Sequence, residues 1–137
     1  MGQEIEIESE FSDEIFVENA GLVLLHPFLT GLFSNLQLTE NGKFVAEYDQ
    51  CLAARVLQFL VYGENNLSEN FYPLNKILCG MGVSQILGEE VEISDQFKIE
   101  SEELLQAVIG HWSVLKNTSI EGLRETFLQR NGKISRV

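Results

Sequence analysis

The stretch from residue 17 to residue 33, VENAGLVLLHPFLTGLF, is apolar on almost every side of a helix. A helix that crosses a membrane needs about 20 predominantly apolar residues, and here His26, Pro27, Thr30 and Gly31 interrupt the run. An element this apolar outside a membrane has to be surrounded by other protein. The stretch is therefore either the central element of a domain core or a surface that docks onto a partner.

The acidic composition of the chain excludes two classes of partner. The 137 residues carry a formal net charge of −12, whereas nucleic acids and anionic membranes both require clustered lysine and arginine. The start, MGQEIEIESE, is acidic where an export signal would be basic and then apolar. The length favours one globular domain, 1–137, in which residues 1–16 form an acidic N-terminal strand or arm.

The spacing of apolar residues predicts a mainly α-helical fold, a compact bundle of about five helices. The helices are predicted near 20–36, with a kink at Pro27, and at 50–62, 73–79, 101–116 and 119–130. Proline lacks a backbone N–H and clashes one turn back, so the first helix should kink or restart near His26.

Two segments alternate polar and apolar residues, which is typical of half-buried strands. They are Glu4–Glu8, in which acids alternate with isoleucine, and Lys133–Val137 at the other end. We expect a small β element from the N- and C-terminal segments. The acidic head and the basic tail are expected to be solvated faces, and attraction between them, within the fold or between neighbours, is the alternative.

Several residues are predicted to mark helix ends. Asn19 and Asp49 are suitable N-caps for the first and second helices. Thr118 and Glu121 fit the capping box, in which each side chain satisfies a backbone donor near the other residue. Gly63 lies just past the second helix, as a C-terminal glycine does.

No set of residues predicts catalysis. Cys79 with either histidine could form a thiol–imidazole pair. However, Cys79 lies at a predicted helix end and no nucleophile motif surrounds it. Cys51 and Cys79 are instead expected to be buried thiols. His26 has no second ligand at metal-binding spacing, which favours a core histidine. His111 is expected on the exposed side of its helix. The sequence thus predicts a non-enzymatic protein without a cofactor or a metal.

Four segments, taken together, resemble one family. They are 17–33 (VENAGLVLLHPFLTGLF), 52–63 (LAARVLQFLVYG), 73–80 (PLNKILCG) and 104–134 (LLQAVIGHWSVLKNTSIEGLRETFLQRNGKI). Their order and spacing are similar to those of the conserved region of the tape measure proteins of bacterial contractile injection systems. These systems are phage-tail-like machines with a sheath, an inner tube and a baseplate. Because family members are much longer, the chain resembles their conserved domain without the long ruler region, as an excised domain or a short paralogue.

The resemblance implies a structural assembly role. The domain would dock to the baseplate hub or to the initiating inner tube and anchor the ruler there, in the bacterial cytoplasm during assembly or in the assembled particle. Lys76, Arg124 and Arg130 are the expected partner contacts, and one of the two arginines is expected to pair with Glu121 or Glu125. The sequence leaves the oligomeric state open.

The other members of these segments are expected to support the fold. Asn19 and Asn117 would serve helix starts, and Asn75 would satisfy a buried turn. The expected core residues are apolar: Leu22, Leu25, Phe28, Leu32, Leu60, Leu78, Leu104, Val108, Trp112 and Phe127.

A different class of function stays open beside the assembly role. The chain could be an acidic adaptor or chaperone that binds an apolar segment of a partner protein with its acidic, partly apolar surface. The partners that the chain retains would separate the two functions, since an assembly module selects injection-system proteins and a chaperone accepts varied unfolded clients.

Overall fold

The computed structural model describes residues 14–63, 72–88, 93–115 and 117–135. In chain order the elements are β1 (Glu14–Val17), a 3-10 segment (Ala20–Leu25), α1 (His26–Asn35), β2 (Thr39–Glu40), β3 (Lys43–Phe44), α2 (Glu47–Tyr62), α3 (Pro73–Leu78), α4 (Asp95–His111), a 3-10 turn (Ser113–Leu115), α5 (Ile120–Leu123), a π-helical segment (Arg124–Leu128) and β4 (Gly132–Ser135). The predicted fold class, mainly α with a small β element, is confirmed. The strand predicted at Glu4–Glu8 lies outside the described residues.

The apolar run folds as two helical pieces that meet beside Pro27. The 3-10 segment ends at Leu25, and α1 begins at His26 with the proline in its first turn. The missing N–H of proline costs nothing in a first turn, because those donors have no partner within the helix. The predicted restart near His26 is therefore confirmed. Both pieces face the core through buried leucines and one phenylalanine: Leu22, Leu25, Leu29, Leu32 and Phe33.

Helix α2 is the most enclosed element of the described chain. Its residues 53–61 are all buried, and it packs against both α3 and α4. It begins at Glu47, three residues before the predicted start, and ends before Gly63. The φ of Gly63 is +79°, in the left-handed region that glycine adopts without strain. The glycine therefore stops the helix at the predicted place.

Helix α4 covers a different range from the predicted 101–116. It begins at Asp95, where the Ser94 hydroxyl accepts a hydrogen bond from the Phe97 amide at 3.3 Å. It ends at His111, because Trp112 takes an extended backbone conformation. Only Phe97 and Ile99 are apolar among the first six residues, so the regular apolar spacing that predicted the helix begins after its true start.

The last helix is capped by a different residue from the predicted one. The Ser119 hydroxyl accepts from the Gly122 amide at 3.0 Å, and Glu121 instead pairs with Arg124 at 3.0 Å. The capping box predicted for Thr118 and Glu121 is therefore wrong. The helix was predicted to reach residue 130 but changes to π geometry at Arg124 and ends at Leu128.

Strands β1 and β4 pair antiparallel and bring the two ends of the described chain together. Ile15 lies opposite Ile134, and Glu14 lies opposite Ser135. The Lys133 ammonium and the Glu14 carboxylate are 3.0 Å apart and about half exposed, so the pair contributes at most about 1 kcal/mol. This pair belongs to the acidic head and the basic tail and joins them within the fold.

The expected core residues divide into two sets. Leu22, Leu25, Leu32, Leu60 and Val108 are buried, whereas Phe28, Leu78, Leu104, Trp112 and Phe127 are partly buried against the same core. Trp112 lies at the margin because α4 ends there, and its ring meets the Phe28 ring edge to face with centroids 5.9 Å apart. The core is continuous from the 3-10 segment to the π-helical segment.

The 3-10 segment crosses the π-helical segment with almost no space between their backbones. A Cβ atom added to Gly21 would lie 1.8 Å from the Phe127 carbonyl oxygen and 2.6 Å from the Leu128 Cα. A Cβ atom added to Gly132 would lie 2.6 Å from the Ala20 Cβ. Small residues are therefore required at both positions, which explains the glycine of the Asn-Ala-Gly sequence.

Gly21→Ala should destabilise the fold by about 1–3 kcal/mol or more, because the two segments must move apart to admit the methyl group. The matched control is Gly31→Ala in α1, where an added Cβ meets nothing within 4 Å. That variant should stabilise by about 0.5–1 kcal/mol through helix propensity. Urea unfolding of both variants measures the difference. Equal stability of the two would contradict the close crossing.

Candidate functional site

A chain of buried side-chain amides joins three elements. Asn19, just before the 3-10 segment, donates from Nδ2 to Oδ1 of Asn75 in α3 at 2.8 Å. Asn75 donates from its own Nδ2 to Oε1 of Gln58 in α2 and to the Ala54 carbonyl, both at 3.0 Å. All three amide side chains are buried, where loss of a partner costs about 1–3 kcal/mol. The amides therefore hold the N-terminal segment, α3 and α2 in one arrangement.

Neither predicted N-cap makes a capping side-chain hydrogen bond. The Asn19 side chain points to Asn75 and makes no capping bond to the 3-10 segment. Asp49 lies inside the first turn of α2, where Ala46 occupies the cap position. Acidic side chains in a first turn still favour the helix through its dipole. Asn19 does occupy the predicted N-cap position before Ala20, but its side chain is drawn away from the cap by a partner 56 residues later in the chain.

Arg124 closes the carboxyl end of α2. Its Nε donates to the Leu60 carbonyl at 3.0 Å, and its Nη2 donates to the Phe59 carbonyl at 3.2 Å. The guanidinium also lies 5.2 Å from the centre of the Phe59 ring. The last carbonyls of a helix lack partners within it and carry partial negative charge. The guanidinium supplies both the missing hydrogen-bond donors and a positive charge opposite these carbonyls.

A second side chain from the same region extends this contact. The Gln129 Nε2 donates to the Val61 carbonyl at 3.0 Å, so consecutive carbonyls of α2 from residue 59 to residue 61 receive donors from the end of the chain. Gly63 leaves room for the guanidinium, since an added Cβ there would lie 3.1 Å from Nη1 of Arg124. We call these contacts of Arg124 and Gln129 the α2 end clamp.

Lys76 and its neighbours hold the turn that follows α3. The Lys76 side chain is only 6% exposed, and its ammonium donates to the Val83 carbonyl at 3.3 Å. Gln50 of α2 donates to the Cys79 carbonyl at 3.0 Å. Gly80 has a φ of +78° and lets the chain turn back. The polar residues of the PLNKILCG segment thus serve the interior.

The three expected partner contacts fall in different places. Lys76 and Arg124 are buried, and Arg124 is 3% exposed, so neither presents its charge on the described surface. Arg130 is exposed, and its Nη1 donates to the Thr126 carbonyl at 3.2 Å. Of the two arginines, Arg124 pairs internally with Glu121. The structure therefore leaves Arg130 as the one of the three that a partner can reach.

The nucleophilic Cys79 and the two histidines differ in their exposure to solvent. Cys79 is buried, and desolvation, with a smaller contribution from Cys51, raises its pKa to about 12. His26 is exposed on the first turn of α1, so the expectation of a core histidine is wrong. Its position follows from the restart of the helix, which turns residue 26 outward. His111 is exposed and contacts the Phe28 ring.

The described residues can be checked for two features, a metal-binding cluster and a membrane-spanning helix. Within residues 14–63, 72–88, 93–115 and 117–135, no group of three His, Cys, Asp or Glu side chains is placed to hold a metal ion. Over these same ranges, no helix combines the length and the apolarity needed to span a bilayer.

The fold and the buried polar contacts define a helical module whose distinctive residues maintain its shape. Comparison with known proteins gives the family. Residues 2–137 match the family model described as contractile injection system tape measure protein, and the chain belongs to this family. A search of curated proteins and a search of solved structures found no match. Family membership gives the chain a structural role in an injection system.

Sequence reasoning missed the two glutamines that complete the polar contacts. Gln58 lies within a helix that reads as apolar, and Gln129 lies in the π-helical segment. A polar residue inside an apolar helical stripe was the available signal for Gln58, because such a residue needs a buried partner. No comparable signal marked Gln129, whose partner lies 68 residues away.

Arg124→Met should cost about 2–5 kcal/mol, because the buried Leu60 carbonyl loses its Arg124 donor and the Phe59 carbonyl keeps only the Gly63 amide, while the length of the side chain is kept. Arg130→Met is the matched control and should change stability by no more than about 0.5 kcal/mol, because that side chain is exposed. Chemical unfolding of the two variants measures both values. A stable Arg124→Met variant would contradict the role of the α2 end clamp.

Cys79 should resist alkylation in the folded protein at pH 8, because its pKa is raised to about 12 and its side chain is buried. The half-buried Cys51 should react first. The folded state holds the Cys79 proton more tightly than the unfolded chain does. The protonated Cys79 thiol therefore adds to the free energy of unfolding. This contribution is complete below the unfolded pKa of about 9 and is lost as the pH rises towards the folded pKa of about 12.

Mass spectrometry of iodoacetamide adducts, before and after denaturation, gives the order of labelling of the two thiols. Cys79→Ala removes the titrating group and should flatten the alkaline loss of stability. Rapid labelling of Cys79 in the folded protein would contradict the prediction that burial protects this thiol.

Proposed function

We propose that this domain is the anchoring end of a tape measure protein. It docks onto the baseplate hub or onto the initiating ring of the inner tube, and it holds the ruler there while the tube is built. The observation that carries the proposal is the family match over residues 2–137. That match supports a structural role, to which we add the docking site.

The dimensions of the described elements support anchoring rather than measuring. The longest described helix, α4, has 17 residues and is therefore about 25 Å long. A ruler must span the lumen of a tube as an extended element. In the described ranges the helices instead pack around α2, which suits a compact domain that binds at one place.

The buried polar contacts support a docking role because they give the domain a fixed shape. The amide chain from Asn19 to Gln58 and the α2 end clamp connect segments far apart in sequence. A surface that is already ordered loses less conformational freedom when it binds. The domain can then present the same contact surface in every copy of the machine.

Arg130 is our candidate for a direct contact with the hub or the tube. It is exposed at the junction between the π-helical segment and β4. A guanidinium has five N–H donors, so the bond to the Thr126 carbonyl leaves donors for a carboxylate of a partner. Because the chain carries a net charge of −12, an exposed arginine offers a rare attractive point for an acidic surface.

Arg130→Glu should weaken binding to the cognate hub or initiating ring about tenfold, which corresponds to about 1.4 kcal/mol. Lys43→Glu on β3 makes the same charge change at another exposed base and should leave binding unchanged. The chain is mixed with each purified baseplate and tube protein of its own system, and complexes are measured by size-exclusion chromatography and by titration. Both variants should keep the melting temperature of the parent.

The same preparation tests the proposal against its alternative. Binding to one hub or ring protein supports anchoring, and normal tube formation in cells that lack residues 14–135 would overturn it. Suppression of aggregation of an unrelated unfolded protein, without binding to any injection-system component, would favour the acidic adaptor or chaperone.

A further inference from the structure

The tripeptide Asn-Gly-Lys occurs twice in the chain, at residues 41–43 and at residues 131–133. An asparagine that precedes a glycine can lose its side-chain amide without an enzyme. The backbone nitrogen of the glycine attacks Cγ of the asparagine, and a glycine has no side chain to hinder this approach. Because the residue after the glycine is also the same, the two tripeptides have similar reactivity in the unfolded chain. Only the fold can distinguish them.

The first copy of the tripeptide forms an open turn. Asn41 and Gly42 join β2 to β3 as a two-residue loop, with Glu40 paired to Lys43. Their φ angles are +56° and +81°, the positive values typical of a type I′ hairpin turn. Both residues are exposed, and a Cβ atom added to Gly42 would meet nothing within 4 Å. The turn therefore stands clear of the rest of the described protein.

Few contacts hold this turn closed. Strands β2 and β3 share two residue pairs, so loss of the pair between Glu40 and Lys43 frees the backbone on both sides of the turn. A segment with so few pairs opens at a small fraction of the free energy of global unfolding. Opening lets the Gly42 nitrogen reach the Asn41 side chain. Meanwhile Phe44 stays packed in the fold, where its ring centre lies 5.5 Å from that of Phe33.

The second copy of the tripeptide is fixed on both sides. Directly before Asn131, the Arg130 carbonyl accepts a hydrogen bond from the Ala20 amide at 2.8 Å. Gly132 begins β4, which shares four residue pairs with β1, and a Cβ atom added to it would lie 2.6 Å from the Ala20 Cβ. Asn131 is itself exposed, so the two asparagines differ in the freedom of the backbone and not in access to water.

We propose that Asn41 is a site of spontaneous deamidation in the folded domain and that the crossing at Ala20 protects Asn131. The Gly42 nitrogen loses its proton and forms a bond to Cγ of Asn41. The bond from Cγ to the side-chain nitrogen breaks, and ammonia leaves after taking up a proton. Water then opens the cyclic imide at either carbonyl to give aspartate or isoaspartate. The inference concerns the chain alone and is independent of docking to a hub or tube.

The reaction changes both the charge and the backbone of the hairpin. Either product adds one negative charge to a chain whose net charge is −12. Isoaspartate also adds a methylene group to the main chain, which lengthens the loop and removes the register that pairs Glu40 with Lys43. The same reaction at Asn131 would place a carboxylate beside Arg130, our candidate for a partner contact. Protection of Asn131 therefore leaves the surroundings of that arginine unchanged.

The parent protein itself provides the test. A folded sample and a sample unfolded in urea are kept in the same mildly alkaline buffer, and peptide mapping by mass spectrometry follows both asparagines with time. In the folded sample, Asn41 should convert at least about tenfold faster than Asn131, which corresponds to a difference of about 1.4 kcal/mol in the free energy of opening. In urea the two rates should be similar. Equal rates in the folded sample, or conversion of Asn41 only in urea, would overturn the proposal.

Two variants identify the residue responsible. Asn41→Gly removes the reacting amide and keeps a residue suited to a positive φ, so the acidic species that accumulates on ion-exchange chromatography should disappear. Asn131→Gly is the matched control and should leave that species unchanged. An acidic species that persists in Asn41→Gly and disappears in Asn131→Gly would show that the fold protects the other tripeptide, contrary to the proposal.

Discussion

The carbonyl groups at the carboxyl end of α2 impose the constraint on which the rest of the fold depends. The carbonyls of Phe59 and Leu60 are buried where they accept from Arg124, and the last carbonyls of a helix have no partners within it. Arg124 and Gln129 supply these donors from 64 to 68 residues later in the chain. The last part of the described chain must therefore pack against α2, and this in turn fixes the crossing at Gly21.

The sequence predicted the elements that depend on neighbouring residues. The restart at Pro27, the end of α2 at Gly63 and the fold class follow from local backbone chemistry, and all three were correct. The cap assigned to Thr118 was wrong, and Asn19 occupies its predicted cap position without a capping side-chain bond, because tertiary packing chooses the partners of side chains. The start of α4 at Asp95 was missed because the first turns are mostly polar, and the isolated Phe97 and Ile99 do not establish a helical period.

The candidate site was predicted only in part, and the reason is physical. Three basic residues of the family-like segments were expected on a contact surface, yet two of them, Lys76 and Arg124, donate to carbonyl groups within the fold. A charged side chain in a sequence gives no sign of whether its partner is inside or outside the molecule. Of the three, only Arg130 is exposed on the described surface.

The pairing of β1 with β4 has a mechanical consequence. Glu14 and Ser135 lie opposite each other at one end of the ladder, and Val17 and Gly132 lie at the other. A force that pulls Glu14 and Ser135 apart therefore strains the hydrogen bonds one after another, as in a zipper, instead of shearing them together. Tension along the polypeptide would open this ladder from the Glu14 end before it reached the helices behind it.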